Sequence, residues 1–490
     1  MAATIAGSSM AFIDGTVVNI ALPALQQFFH ANGSDLQWVV EAYALFLAAL
    51  LLVGGSLGDL YGRKKAFLAS VVMFAGASIW CGFAQSIHAL IAARAVQGVG
   101  AALLVPGSLA LISASFPEET RGQAIGTWSG FTAITAAIGP LLGGWLVQHA
   151  SWHWVFFLNV PLAVFVILVS LWKVPETRRE AEGNSLDWIG ATLATLGLGA
   201  VTYALIESSA GRRFVLPIGV SGVILLLAFV VVEARSPKAM VPLPLFRSRN
   251  FSGANLLTLF LYAALGGVLY YLPLNLIQIQ HYTPTAAGAA LLPFILLMFL
   301  LSRWSGGLVA HYGARLPLIV GPLIVAAGFA LLLRPAVGGS YWATFFPAVL
   351  ILGFGLAVSV APLTTVVMNA VPQEKAGTAS GVNNAVSRVA SLLALALFGT
   401  IFNAMFAHEL HSKLQKSNLA VEEKSRVFNQ REKLAAIETG NAAEADLVGA
   451  AFVYSFRGIV GVATGLSLLS SVAAGILVQS QSSSKSSAGK

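Results

Sequence analysis

Gly55-Ser-Leu-Gly-Asp-Leu-Tyr-Gly-Arg-Lys64 decides the fold, because a degraded copy, Gly306-Gly-Leu-Val-Ala-His-Tyr-Gly-Ala-Arg315, begins 251 residues further on. Leu57, Tyr61 and Gly62 recur in register as Leu308, Tyr312 and Gly313, while Asp59 becomes Ala310. A second pair lies at nearly the same spacing: Pro117-Glu-Glu-Thr-Arg-Gly122 returns after 255 residues as Pro372-Gln-Glu-Lys-Ala-Gly377. Each copy joins two long apolar segments. A duplicated set of membrane helices is a common construction for a secondary transporter, with the substrate path between the two halves.

Working outward, the chain has 490 residues, 57% of them hydrophobic and 10% charged, with a mean hydropathy of +0.80. A soluble domain would carry about 25% charge, so lipid must be the solvent. The net charge of +8 does not imply nucleic-acid binding, since the basic residues fall in short loops where membrane orientation accounts for them. The single cysteine, Cys81, rules out an intramolecular disulfide and is expected to be inert packing. No Lys or Arg precedes Arg63, so the first apolar segment lacks the basic start of a signal peptide and is expected to remain as a helix.

A spanning helix needs roughly 20 apolar residues. Fourteen such spans are expected, from about 5–28 to about 449–478, in an all-α polytopic membrane protein. The short connections on one side hold Arg63, Lys64, Lys65, Arg121, Lys173, Arg178, Arg179, Arg235, Lys238, Arg247, Arg249, Arg315 and Lys375, against chiefly Arg212 and Arg213 on the other. The excess predicts both termini inside. The repeat then gives a six-helix bundle over 1–175, two inserted helices with cytoplasmic flanks over 176–250, a second six-helix bundle over 251–478, and a disordered tail over 479–490. The polar outer segment 404–448 is either a solvated cap or a substrate gate, and 420–437 has the mixed charge of a surface helix.

Ionisable side chains within spans are functional candidates by default. Only Asp14 and Glu41 are acids inside the expected spans, and both belong to the first half. Asp14 lies roughly 13 Å along its helix at 1.5 Å per residue, near mid-membrane. A buried carboxyl favours its neutral form and can exchange a proton for an approaching cation, which is the minimal chemistry of an antiporter. The alternatives are that Asp14 only bonds a neighbour such as Asn19 and that Glu41 sits near the outer surface. Arg94 is the third coupling candidate. Its repeat counterpart is Val349, whereas Gly98 and Gly100 match Gly353 and Gly355. It is either the positive partner of an acid or half of a structural ion pair. Arg388, mid-span in the second half, either holds Asn383 or Asn384 or lines the cavity. Gly126, Gly130, Gly139, Pro140, Gly143 and Gly144 punctuate the fifth span, where small residues permit close helix contact and proline bends the helix. Asp59 is placed to meet the positive end of the helix starting near Gly377, with Arg63 bracing the loop.

These residues resemble the major facilitator superfamily. Gly55–Lys64 is similar to its loop signature, Arg94–Gly100 to its fourth-helix signature, and Gly139-Pro-Leu-Leu-Gly-Gly144 to its antiporter signature. Asp14-Gly-Thr-Val-Val-Asn-Ile-Ala-Leu-Pro23 and Trp152-His-Trp-Val-Phe-Phe-Leu-Asn-Val-Pro161 resemble the fourteen-helix drug/proton antiporter branch of QacA/EmrB type. The resemblance implies a major facilitator fold and proton-driven export of lipophilic compounds. It assigns Asp14 and Arg94 to coupling, with Glu41 added from its position. It assigns Gly55, Asp59, Gly62 and Arg63 to gating, and Gly139, Pro140, Gly143 and Gly144 to antiport geometry. Because the second half lacks acids within its spans, monovalent cationic or neutral amphiphiles are expected rather than dications. The expected cavity lining is Tyr43, Phe131, Asn255, Tyr262, Tyr270, Asn275, Asn384 and Arg388.

The expected location is a bacterial inner membrane, as a monomer. Its expected partners are an amphiphilic small molecule, protons and the bilayer, with periplasmic or outer-membrane efflux proteins as further candidates. No cofactor, metal or nucleic acid is called for. An exporter of a native metabolite or lipid-like anion, meeting Arg388, is the competing transport reading, and a non-transporting receptor is a third. The chain contains neither a phosphate-binding Gly-x-x-x-x-Gly-Lys-Ser/Thr loop nor a His-Glu-x-x-His pair, which excludes an ATP-driven motor on this chain and leaves an enzyme without a site.

Overall fold

Backbone N–H and C=O groups in a bilayer must be satisfied within the chain, so apolar segments of this length fold as helices. The computed structural model describes residues 1–176, 187–210, 214–236, 239–371 and 376–479. The tail from 480 onward, the connections 177–186, 211–213, 237–238 and 372–375, and the side chains of Gly55, Asp59, Arg121 and Gly377 lie outside the described residues. The expected contact of Asp59 with the helix near Gly377 is therefore also outside them.

The first half comprises α1 (Ala2–Phe29), α2 (Gly33–Tyr61), α3 (Arg63–Gly82), α4 (Ile87–Ser115), α5 (Glu118–His149) and a sixth span broken into α6 (His153–Phe157) and α7 (Asn159–Lys173). Two further helices follow, α8 (Trp188–Ile206) and α9 (Val215–Arg235). The second half opens with α10 (Arg249–Leu274), continued by a π-helical turn, Asn275–Ile279. Then come α11 (Pro284–Ala289) and α12 (Leu292–Tyr312), which together make one span, α13 (Arg315–Leu331), α14 (Tyr341–Asn369), α15 (Ala376–Lys416), α16 (Val421–Asn429) and α17 (Ala442–Leu477). Among the described residues, 13 helices are long and apolar enough to cross a membrane. The shorter α13, at 17 residues, makes a fourteenth and sits at the lower limit of spanning length.

The spans alternate in direction, so the start of α1 and the end of α17 fall at one end of the bundle. There the backbone N–H of Gln479 donates to Asn250 Oδ1 at 2.8 Å, joining the last helix to the start of α10. We call this the termini end and the opposite one the loop end. The polar segment expected over 404–448 is largely helical: α15 runs on to Lys416 and α17 starts at Ala442. Between them lie α16 and a 3-10 turn, Arg431–Ala436, where a surface helix was expected. Arg426 grips the buried Glu444 through both carboxylate oxygens, at 2.6 and 2.8 Å.

The sequence repeat is also a repeat of packing. Gly62 ends α2 with φ of 99°, and its counterpart Gly313 ends α12 with φ of 69°, a left-handed backbone that glycine adopts without strain. Gly98 lies against the Tyr43 carbonyl, and Gly353 lies against the Phe294 carbonyl. A methyl on Gly100 would stand 3.0 Å from the Phe74 nitrogen, and one on Gly355 2.7 Å from the Val325 nitrogen. Tyr43 and Phe294, like Phe74 and Val325, are separated by the same 251 residues as the loop copies. The shared glycines thus set the same helix crossings in both halves.

The halves meet at the loop end. Gly144 of α5 lies against Pro284 and Thr285, and Gly288 of α11 lies against Pro140 and Leu141. On the opposite flank, Gln37 of α2 donates to the Leu395 carbonyl of α15 at 2.8 Å. Gln26 of α1 accepts from Gln278 at 2.7 Å and donates to the Lys433 carbonyl at 2.9 Å. The inserted helix α8 packs on both α2 and α15. Trp38 Nε1 donates to Glu207 at 3.2 Å, and Thr400 Oγ1 donates to the Leu205 carbonyl at 2.6 Å.

The crossing of α5 and α11 leaves no room for a side chain, since a Cβ on Gly288 would lie 2.6 Å from the Pro140 carbonyl carbon. Gly306 has open space, and alanine gains about 1 kcal/mol over glycine in a helix. Gly288→Ala should therefore lower the thermal unfolding midpoint in detergent, by an overpacking cost of about 1–3 kcal/mol, while Gly306→Ala holds or raises it. Equal midpoints for the two variants would contradict this crossing.

Candidate functional site

Five helices of the first half converge on one polar cluster. Asp14, from the middle of α1, has no exposed surface, and Arg94, from α4, is 1% exposed. Arg94 Nη1 donates to Asp14 Oδ2 in an ion pair. The second carboxylate oxygen accepts from Gln97 Nε2 at 2.8 Å and from Asn159 Nδ2 at 3.2 Å. Ser78 Oγ of α3 accepts from the same two amides, at 2.8 and 3.3 Å. Arg94 also donates through Nε to the Val39 carbonyl of α2 at 3.1 Å and through Nη1 to Gln97 Oε1 at 2.7 Å. Its guanidinium lies 4.3 Å over the Tyr43 ring. Removing one partner of a buried ion pair typically costs about 3–5 kcal/mol, so the cluster binds these helices together as well as holding a charge.

Arg94 starts no new turn by accident of composition. It and Gln97 are three residues apart on one helix and so share a face, which is aimed at α1. Gly98 and Gly100 bring α4 close to α2 and α3. Asn159 begins α7 directly after Leu158, and its side chain is buried on the cluster. Neither Gln97 nor Asn159 was singled out from sequence. A neutral amide in an apolar run carries less cost than a charge, although its spacing from Arg94 would have pointed to Gln97.

Glu41 does not join this cluster. It is fully buried on α2, and neither of its carboxylate oxygens has a hydrogen-bond partner among the described residues. The acids are more widely spread than the sequence spans implied. Glu233 falls in the last turn of α9, 3% exposed, and accepts from the Val241 N–H at 2.8 Å. The second half's Glu409, Glu444 and Asp446 lie in the loop-end extensions of α15 and α17.

The antiporter-type glycines clasp α5 between α1 and the second half. Gly139 packs on Ile13 and Thr16, and Gly143 on Val17. Thr16 Oγ1 reaches the Ala136 carbonyl at 3.2 Å. Of the gating residues, Gly62 caps α3, and beside it the Lys64 N–H donates to Glu176 at 3.1 Å. Arg63 is half-buried in the first turn of α3.

The expected lining residues divide. Tyr43 is buried with its hydroxyl on the Ala11 carbonyl at 3.1 Å. Asn255 is buried and accepts from Asn383 at 3.1 Å, while Asn275 is buried and accepts from Gln280 at 3.2 Å. Tyr270 is buried edge-on to Tyr271. Phe131 and Asn384 are exposed, whereas Tyr262 is half-buried. Arg388 is half-buried too, with its guanidinium 6.0 Å from the Phe12 ring across the gap between the halves.

Comparison with known proteins agrees with this architecture. The profile described as Major Facilitator Superfamily matches residues 4–395. The chain is 35% identical over 422 residues to the multidrug resistance protein Stp of Mycobacterium tuberculosis (strain CDC 1551 / Oshkosh), covering 85% of this chain and 78% of the relative. It is 32% identical to the tetracenomycin C resistance and export protein of Streptomyces glaucescens, covering 84% and 77%. Among solved structures, it superposes with a TM-score of 0.64 on a bacterial homolog of the human lysosomal transporter Spinster in an inward-facing, occupied conformation, at 18% identity and covering 97% and 95% of the two chains. The chain is a multi-pass membrane protein belonging to the major facilitator superfamily, a family of transporters rather than enzymes.

Proposed function

We propose that the chain is a proton-coupled exporter of lipophilic monovalent cations or neutral amphiphiles, working by alternating access. The observation that carries this reading is the buried carboxylate of Asp14, in the middle of α1 and held by Arg94, Gln97 and Asn159. The names of its relatives, one a multidrug resistance protein and one a resistance and export protein, support the choice of cargo.

In this reading the ion pair is the locked state. Asp14 has no exposed surface, so a proton reaches it only after the helices shift and admit water. Protonation removes the charge that holds Arg94, and the freed guanidinium retains its bonds to Val39 and Gln97. The first half then has two arrangements, one with the pair closed and one with it open. Each proton entering down the membrane potential contributes about 2.3 kcal/mol per 100 mV. The segments 1–175 and 251–478 rock as two bodies, with 176–250 between them. The loop end, closed by the crossing of α5 and α11 and by Gln37, faces outward, and both termini face the cytoplasm of a bacterial inner membrane. The transporter acts as a monomer, and periplasmic or outer-membrane efflux proteins are candidate partners. Asp59 and Arg63 serve the inner gate.

Export of ethidium, a monovalent cationic dye, from whole cells tests this, with and without a proton uncoupler. The wild type should export against a gradient and stop when the proton gradient collapses. Asp14→Asn should insert normally and lose at least tenfold in gradient-driven export, by the scale of an interaction worth about 1.4 kcal/mol or more. Wild-type export by Asp14→Asn would refute the assignment.

A second test separates the pair's structural part from its coupling part. Arg94→Gln leaves a buried carboxylate without its cation, a loss of about 3–5 kcal/mol, and should lower the unfolding midpoint. Adding Asp14→Asn to Arg94→Gln should recover much of that midpoint without restoring proton-driven export. Recovery of both would reduce the pair to scaffolding.

A further inference from the structure

The two acids of the first half have opposite surroundings. Asp14 is saturated, with a cation and two amide donors on its carboxylate. Glu41 has no exposed surface, and both its oxygens are without a partner among the described residues. Buried polar groups nearly always have a partner. An acid kept for packing or for fixing a helix would be expected to hold a donor, as Glu444 holds Arg426.

Its position explains what could approach it. Residues four apart share a helix face. Gln37, one turn before Glu41, bonds the Leu395 carbonyl of α15. Leu45, one turn after, packs in a cluster with Leu392 of α15. Glu41 therefore lies on the face of α2 turned to the second half, between two contacts of the seam. Tyr270 and Tyr271 are buried on α10, which packs on α15 along the same seam. There Phe402 of α15 stacks on Tyr271, with ring centroids 4.3 Å apart and planes 12° from parallel. A carboxylate without a donor, at a seam that α10 and α15 supply with aromatic rings, suits an organic cation, whose charge meets the acid and whose bulk meets the π faces. A small inorganic cation would want several oxygen ligands. No group of three or more His, Cys, Asp or Glu side chains suited to a metal occurs among the described residues.

We propose that Glu41, with Tyr270 and Tyr271, is a recognition site for the single positive charge of a lipophilic substrate, separate from the Asp14–Arg94 proton site. The proposal rests on the exporter reading and deepens it: one acid serves the proton and the other the cargo. The site is filled when α2 and α15 part, since the seam is closed around it here.

Binding and transport are measured separately on the purified full-length protein, with tetraphenylphosphonium as the cation and triphenylphosphine oxide as the neutral probe. Glu41→Gln should weaken equilibrium binding of the cation at least tenfold and leave the neutral probe within twofold. Glu41→Asp should retain most of the cation affinity. Equal losses for both probes in Glu41→Gln, cation binding indifferent to residue 41, or no cation binding by the wild type would each overturn the site. Reconstituted vesicles with a pH gradient then test the exporter reading: Glu41-dependent binding without uptake of either probe would keep the site and sink the exporter.

Discussion

A fully buried ion pair organises the first half of this protein. Asp14 and Arg94 are sealed from solvent; α1, α2, α4 and α7 supply the atoms bonded to the pair, and α3 joins through Ser78, which accepts from Gln97 and Asn159. In lipid there is no alternative solvent for a mismatched charge. The helices must therefore converge, and any motion that parts them must first neutralise or re-pair the charge. The second half carries no such demand, because the counterpart of Arg94 is Val349, buried in apolar packing. Equivalent frames thus hold unequal chemistry.

The frame itself is fixed by absence of side chains. Gly98 and Gly353 let α4 and α14 cross their neighbours at the same repeat positions, as do Gly100 and Gly355. Dispersion and close contact replace the hydrophobic effect between helices in a bilayer, so these contacts decide which faces meet. Gly144 and Gly288 extend the rule across the halves. There the same close approach joins two bodies instead of building one, and its strength bears on how readily they separate.

The fold was legible because its signals are long. Twenty apolar residues leave few alternatives in lipid, and the copied loop carried its positive-φ glycine with it at Gly62 and Gly313. Irregular details were not legible. The break at Leu158, the π turn at Asn275–Ile279 and the run of α15 to Lys416 depend on tertiary contacts or on polar helix outside the apolar pattern. At the site, Asp14 and Arg94 stood out as charges in apolar runs, whereas Gln97 and Asn159 did not. Glu233 follows an unbroken apolar run, Val223–Val232, and so reads as the flank of its span although it lies in the last turn of α9. Tyr43, Asn255, Tyr270 and Asn275 read as lining yet are buried in this state. A one-dimensional pattern gives the depth of a residue in a helix but not whether its face looks into a bundle or across the seam.

The inserted helix α8 has a mechanical consequence. It is moored to α2 through Trp38 and Glu207 and to α15 through Thr400 and Leu205, and it straddles the line along which those two helices touch. If that line gapes, at least one mooring must let go, or the strip of chain between the two anchors must stretch. Helix α8 therefore bridges the seam on this flank, whereas the opposite flank is joined by the bare glycine crossing of α5 and α11.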